Sequence, residues 1–173
     1  MEMNLPNKLT ILRIALVPIC LVLTALKLYL PAAAVFGLAC ITDTLDGRIA
    51  RKRNLVTVFG KFADPIADKV LTLTTMILLA SMGRMGVWLP VLVSVRELLV
   101  DGLRLVAVQQ GTVVPAAMSG KIKTILQMIA ILACFLTEGV LPFILCLLAA
   151  AATVWSGVEY FVNLWDVFTH EKR

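Results

Sequence analysis

Residues 139–158 read GVLPFILCLLAAAATVWSGV and contain no charged side chain. At 1.5 Å per residue, a helix of about 20 apolar residues matches the roughly 30 Å hydrocarbon core of a bilayer. The rest of the chain agrees with that solvent. Of its 173 residues, 60% are hydrophobic and only 16% are charged, with a mean hydropathy of +0.94. A soluble domain carries about 25% charged residues. This composition excludes a disordered chain, a basic nucleic-acid-binding protein and an ordinary cytosolic enzyme. It implies an all-α integral membrane protein, and at roughly 20 residues per crossing the length holds six or seven spans at most.

Charge interruptions divide the sequence into six predicted transmembrane helices within a single domain, 1–173. Ahead of them, Leu5, Leu9, Leu12 and Leu16 recur on one helical face from Asn4 onward, and Pro6 suits a helix start. That pattern predicts a short N-terminal interfacial helix. The first apolar run, Ile14 to Leu26, is followed by no clear small-x-small cleavage site and is expected to be the first span rather than a signal peptide. Further spans are expected at about Pro31–Arg53, Gly60–Met82, Val87–Gln109, Gly120–Thr137 and Leu141–Trp165. One side of this arrangement carries Lys8, Arg13, Arg51, Lys52, Arg53, Lys61, Lys121, Lys123, Lys172 and Arg173, whereas the other carries Lys27 and Arg84. The positive-inside rule makes the first side, with both termini, cytoplasmic. The net charge of +5 therefore reads first as topology.

Four acids do not fit a passive scaffold. Asp43, Asp46, Asp64 and Asp68 lie within or beside apolar runs, where each ionised carboxylate costs about 2.5–3.5 kcal/mol at mid-bilayer. Asp43, Asp46 and Ala50 share one face of the second helix, and Gly60, Asp64 and Asp68 share one face of the third. A short connection after Arg51-Lys52-Arg53-Asn54 makes these helices antiparallel neighbours whose acidic faces meet near the cytoplasmic surface. Four converging carboxylates repel unless a divalent cation sits among them, and hard oxygen donors favour magnesium, manganese or calcium. Gly47 and Gly60 leave room for a ligand to approach the backbone, and Arg51 suits a phosphate. These are parts for phosphoryl chemistry at a lipid surface. The competing reading is a salt-bridge cluster with Arg48, Arg51, Lys61 and Lys69.

The pattern Asp43-x2-Asp46-Gly47-x2-Ala50-Arg51-x8-Gly60-x3-Asp64-x3-Asp68 resembles the signature of the CDP-alcohol phosphatidyltransferases at all eight fixed positions. The resemblance implies six transmembrane helices, a homodimer and two divalent ions, Mg2+ or Mn2+. It also implies a transferase that passes the phosphatidyl group of CDP-diacylglycerol to an alcohol and releases CMP. It makes Asp43, Asp46 and Asp64 metal ligands, Asp68 both ligand and general base, and Gly47, Ala50, Arg51 and Gly60 the CDP-binding surface. No serine, cysteine or histidine lies inside the motif, which favours direct displacement over a covalent intermediate.

The acceptor is addressed elsewhere. Arg96, Glu97, Asp101 and Arg104 interrupt an apolar helix, with the two arginines about two turns apart on neighbouring parts of one face. Gly120-Lys121-Ile122-Lys123-Thr124 then begins the fifth helix with two cations and a first turn of backbone N–H groups. If Arg96, Arg104, Lys121 and Lys123 bind an anion, the acceptor is itself phosphorylated. The alternative pairs Arg96 and Arg104 with Glu97 and Asp101 and leaves the lysines snorkelling at the surface. The opening Asn4-Leu5-Pro6-Asn7-Lys8-Leu9-Thr10-x2-Arg13, with Arg96-Glu97-x6-Arg104 and Gly120-Lys121-x-Lys123-Thr124-x2-Gln127, is similar to family members whose acceptor is glycerol 3-phosphate. That likeness gives Asn7, Thr10 and Arg13 to the CDP-lipid or to the membrane face, and places the chain in a bacterial-type cytoplasmic membrane. The rival readings are inositol phosphate or phosphatidylglycerol as acceptor, and a cation transporter that uses the acids as an ion site.

Cys20, Cys40, Cys134 and Cys146 stand singly in apolar stretches and read as packing residues. His170 reads as a surface residue of the charged tail. Trp88, Trp155, Trp165 and Tyr160 mark membrane interfaces or pack between helices.

Overall fold

The computed structural model describes the backbone of residues 5–52, 58–111 and 117–165, and the side chains of residues 9–43, 63–111 and 117–165. Six helices follow one another without a strand among the described residues: α1 Leu5–Ala25, α2 Tyr29–Lys52, α3 Val58–Ser81, α4 Trp88–Gln109, α5 Met118–Leu136 and α6 Val140–Asn163. α5 and α6 are long and apolar enough to cross a membrane. α1 and α2 contain the shorter apolar segments Leu9–Ala25 and Tyr29–Asp43.

The expected interfacial helix is not a separate element. Residues 5–25 form one helix that runs through Pro18. The leucine face that suggested an independent segment has the same 3.6-residue period as the apolar run after it, and no breaker lies between Arg13 and Ile14.

The bundle is apolar on its outside. Leu30, Leu98 and Val140 are among its most exposed side chains, while Arg13 and Lys123 are buried. Small residues let the helices approach closely. Cys20, Ala32, Ala33 and Ala39 line the contact of α1 with α2, and Ala130, Cys134, Cys146 and Ala149 that of α5 with α6. Phe36 of α2 meets Phe135 of α5 with ring centroids 6.2 Å apart, near the centre of the core. Buried hydroxyls bond within their own helices, as in Thr24 Oγ1 to the Cys20 carbonyl (2.7 Å), and Gln127 Nε2 donates across to Thr153 Oγ1 (3.2 Å). These hydroxyl and amide groups inside the bundle are thus paired rather than exposed to an apolar solvent.

The turns between helices carry signatures of their own. α3 ends with Gly83 at φ 74°; Gly83 N donates to the Ala80 carbonyl and Arg84 N to the Leu79 carbonyl. This pair of bonds is a Schellman cap. α1 ends with the same two bonds, Lys27 N to the Thr24 carbonyl and Leu28 N to the Leu23 carbonyl, but places Lys27 at φ 59°. A side chain in that left-handed region costs roughly 1 kcal/mol that glycine does not. Lys27→Gly is therefore expected to stabilise the protein by up to about 1 kcal/mol, read as a raised thermal midpoint in detergent.

α1 packs against both α2 and α3, which touch each other less; α5 packs against α6, α4 against α6, and α2 against α5. Cross-helix contacts fix the direction of the chain. Thr10 meets Asp64, Arg13 meets Asp43, Lys123 meets Glu97 and Arg104 meets Tyr160. All of these lie at one end of the bundle. Arg84 meets Tyr29, Cys134 and Glu138 at the other.

Candidate active site

The acids come together through α1. Arg13, fully buried, places Nη1 2.8 Å from Oδ1 of Asp43, and Thr10, also buried, donates its hydroxyl to Oδ1 of Asp64. Thr10 and Arg13 are three residues apart on one face of α1, so a single helical turn holds one acid from α2 and one from α3. Anchoring at the membrane face, one of the two roles expected for these residues, does not fit their burial. Asp43 lies within electrostatic reach of Asp64, and Asp68 within reach of Asp43 and Arg13. Asp64 and Asp68 sit on consecutive turns of α3, as their spacing predicts.

Asp43, Asp64 and Asp68 are hard-oxygen donors of the kind that suits magnesium or manganese. Among the described residues, no three His, Cys, Asp or Glu side chains are placed so as to hold a metal ion. The side chains of Asn7, Asp46, Ala50 and Arg51, and the surroundings of Gly47 and Gly60, lie outside the described ones. So does His170. The backbone of all of these except His170 is helical.

Asp68 also faces the other cluster. Lys123 of α5 and Glu97 of α4 act on its carboxylate electrostatically, as Asp43 and Arg13 do. Glu97 is the hub of that second group. It accepts a hydrogen bond from Lys123, lies 3.2 Å from Nη1 of Arg96 and 3.5 Å from Nζ of Lys69. Lys69, one residue beyond Asp68, also binds Asp101. Of the alternative pairings, Arg96 with Glu97 forms and Arg104 with Asp101 does not: Arg104 donates instead to the hydroxyl of Tyr160.

Arg96, Arg104 and Lys123 are thus brought together. Lys121 is exposed on the opposite face of α5 from this cluster and makes no contact with it. The cluster holds more donors than acceptors. Nε and Nη2 of Arg96, Nε of Arg104 and Oγ of Ser119 are all buried without a hydrogen-bond partner. Buried polar atoms are paired in the great majority of native structures, and a group of orphans points to a missing ligand. Arg84 at the far end of the bundle shows the contrast: its Nε donates to the Cys134 carbonyl (2.8 Å), its Nη1 lies 3.0 Å from Glu138, and its guanidinium stacks 3.9 Å over Tyr29. Unused donors are therefore not a feature of every arginine of the bundle. With several N–H groups and a hydroxyl converging, the place suits a phosphate.

Two members of this region escaped the sequence reading. Ser119 carried no signal beyond its position beside Gly120 at the start of a helix. Tyr160 was left between a membrane-interface and a packing role; it is 4% exposed and sits inside the bundle. Trp88, Trp155 and Trp165 are exposed on the outside. Cys20, Cys134 and Cys146 are buried and Cys40 half-buried, all as free thiols, in keeping with a packing role. Between α4 and α6 lies a separate cleft of about 640 Å³ with apolar walls, lined by Leu99, Leu103, Val158 and Phe161, that reaches Arg96 from the outside.

A family model described as CDP-alcohol phosphatidyltransferase matches residues 3–155. The chain is 41% identical over 187 aligned positions to a CDP-diacylglycerol–glycerol-3-phosphate 3-phosphatidyltransferase of Bacillus subtilis, covering 94% of this chain and 96% of that one. It is 41% identical to a probable phosphatidylglycerophosphate synthase of Mycobacterium tuberculosis, covering 91% of this chain and 79% of that one. A third relative, the CDP-diacylglycerol–glycerol-3-phosphate 3-phosphatidyltransferase of Rickettsia prowazekii, is 39% identical, with 92% and 94% covered.

Proposed function

The chain belongs to the CDP-alcohol phosphatidyltransferase family, and from that premise we propose how its site works on CDP-diacylglycerol and glycerol 3-phosphate. The enzyme transfers the phosphatidyl group of the first to the second, giving phosphatidylglycerophosphate and CMP, a step of phospholipid biosynthesis. The acceptor's 1-hydroxyl oxygen bonds to the phosphorus that carries diacylglycerol, the bond from that phosphorus to the CMP oxygen breaks, and the hydroxyl proton passes to a carboxylate. Asp68 is that carboxylate, because Asp43 and Arg13 of one cluster and Lys123 and Glu97 of the other all act on it. Arg13 and Thr10 hold Asp43 and Asp64 in place. Arg96, Arg104, Ser119 and Lys123 receive the acceptor's phosphate, and Glu97 keeps Lys123 and Arg96 beside it. Asn7, Gly47, Ala50, Arg51 and Gly60 belong to the CDP-lipid side on the strength of the shared signature.

Asp43, Asp46, Asp64 and Asp68 would hold divalent metal, two ions of magnesium or manganese. Bound there, such ions supply polarisation of the pyrophosphate and offset the charge that develops on departing CMP. All six helices cross the membrane, with the acid end toward the cytoplasm, where both water-soluble substances of the reaction are found. The working assembly is a homodimer.

The observation that carries this reading is Asp68 within electrostatic reach of both Asp43 and the Lys123–Glu97 pair, with the buried, unpartnered donors of Arg96 next to Glu97. Purified protein given CDP-diacylglycerol, magnesium and labelled glycerol 3-phosphate should form one labelled lipid for each CMP released, and EDTA should stop it. Turnover with inositol phosphate but not with glycerol 3-phosphate would reassign the acceptor.

A further inference from the structure

Tyr160 of α6 contacts both arginines of α4 and the start of α5. Its hydroxyl accepts hydrogen bonds from Nη2 of Arg104 on α4 and from the backbone N of Ala117, the N-cap of α5 (2.9 Å). Its ring lies 4.9 Å from the Arg104 guanidinium carbon and 5.3 Å from that of Arg96, within cation–π range of both. One side chain on α6 thus fixes both arginines of α4 and the start of α5. Those are the elements that carry the orphaned donors of Arg96, Arg104 and Ser119.

The local space fits this arrangement. A Cβ on Gly120 would sit 3.7 Å from the Tyr160 ring and 3.9 Å from both the Tyr160 hydroxyl and Nη2 of Arg96. A Cβ on Gly157, one turn before Tyr160, would lie 3.4 Å from Cγ of Arg96. A Cβ at either place would make only ordinary van der Waals contact, so the arginine and the ring pack directly against these two positions. A tyrosine whose only role was to fill space would leave its hydroxyl to water or to its own helix. Here the hydroxyl is spent on the two neighbouring helices.

We propose that Tyr160 is the positioning residue of the acceptor-phosphate seat, orienting Arg96, Arg104 and the first turn of α5 toward the phosphate of a glycerol phosphate. This rests on the reading of that cluster given under Proposed function. Tyr160 makes no bond to the reacting atoms, so its loss acts on acceptor binding and not on the chemical step.

Tyr160→Phe keeps the ring and removes the hydroxyl. The KM for glycerol 3-phosphate is expected to rise about tenfold, the effect of one lost hydrogen bond, with kcat and the KM for CDP-diacylglycerol within about twofold of the parent. Inorganic phosphate, as a competitor of glycerol 3-phosphate, should weaken in parallel. Ala117→Pro tests the same anchor from the other side: it deletes the donated N–H at a residue whose φ of −69° already suits proline. It should raise the same KM in the same direction while Tyr160 stays intact, so the inference remains testable if Tyr160→Phe fails to fold. An unchanged KM for glycerol 3-phosphate in both variants, or an equal rise for both substrates, overturns the role of Tyr160. Failure of the parent enzyme to use glycerol 3-phosphate in the same assay would instead overturn the reading on which it rests.

Discussion

Asp68→Asn should reduce kcat by about 10²–10⁴-fold, the usual range for removing a general base, with the KM of glycerol 3-phosphate changed little. The substitution is nearly isosteric, so the helix around it stays intact. What it removes is a negative charge and a proton acceptor at a carboxylate on which Asp43, Arg13, Lys123 and Glu97 all act electrostatically. An amide there cannot take the proton of the acceptor hydroxyl, and it no longer balances Lys123. Single-turnover release of CMP from preloaded protein isolates the chemical step from binding. Retention of more than about a tenth of the parent rate would move proton acceptance to another carboxylate. Asp101→Asn is the matched control. Asp101 pairs with Lys69 on the half-exposed edge of the same cluster, so the same loss of charge there should leave the chemical step nearly untouched.

Several of these relations can be read in one dimension and others cannot, for a physical reason. A helix repeats its face every three or four residues, so the acids of α3 at Asp64 and Asp68, and the arginines of α4 at Arg96 and Arg104, were placed correctly from spacing alone. Helix existence followed from apolar runs broken by charge, and α2 to α6 fall within a few residues of their expected bounds, whereas α1 begins at Leu5 and takes in the expected interfacial helix. What spacing cannot reveal is which helix lies beside which. Thr10 and Arg13 were open to the CDP-lipid or to a membrane surface, because they sit near the start of an apolar run. They are buried because α1 packs on both α2 and α3 and brings its polar turn to their acids. The pairing of Arg104 with Asp101 looked natural at three residues apart, yet Lys69 of α3 takes the acid and Tyr160, 56 positions away, takes the arginine. Lys121 and Lys123 have the same chemistry in the sequence; two residues along a helix turn through about 200°, so one is exposed and the other buried against Glu97. Tyr160 carries no periodic signal at all, since a tyrosine near a helix end looks the same whether it faces lipid headgroups or two arginines.

Arg96→Met is expected to raise the KM for glycerol 3-phosphate about 100-fold. The substitution keeps most of the apolar stem while removing the guanidinium. Two of its donors, Nε and Nη2, are buried without a protein partner, and a hydrogen bond to a charged group contributes about 1.5–3 kcal/mol. Two such bonds to a phosphate therefore cover the roughly 2.8 kcal/mol that a hundredfold change represents at 1.4 kcal/mol per tenfold. The loss does not strand a charge elsewhere, because Glu97 keeps Lys123 and Lys69 as partners. Stability should fall little, since the parent protein gains nothing from donors that remain unpaired until the acceptor arrives. Arg96→Lys should recover only part of the affinity, because an ammonium lacks the planar fork that meets two phosphate oxygens at once. Glycerol separates this from a general defect. It has the same hydroxyl but no phosphate, so its slow turnover should be nearly the same in parent and variant, and the preference for the phosphorylated acceptor should shrink by the same hundredfold. If glycerol and glycerol 3-phosphate lose activity equally, Arg96 supports the bundle rather than the phosphate, and the orphaned donors around it have some other ligand.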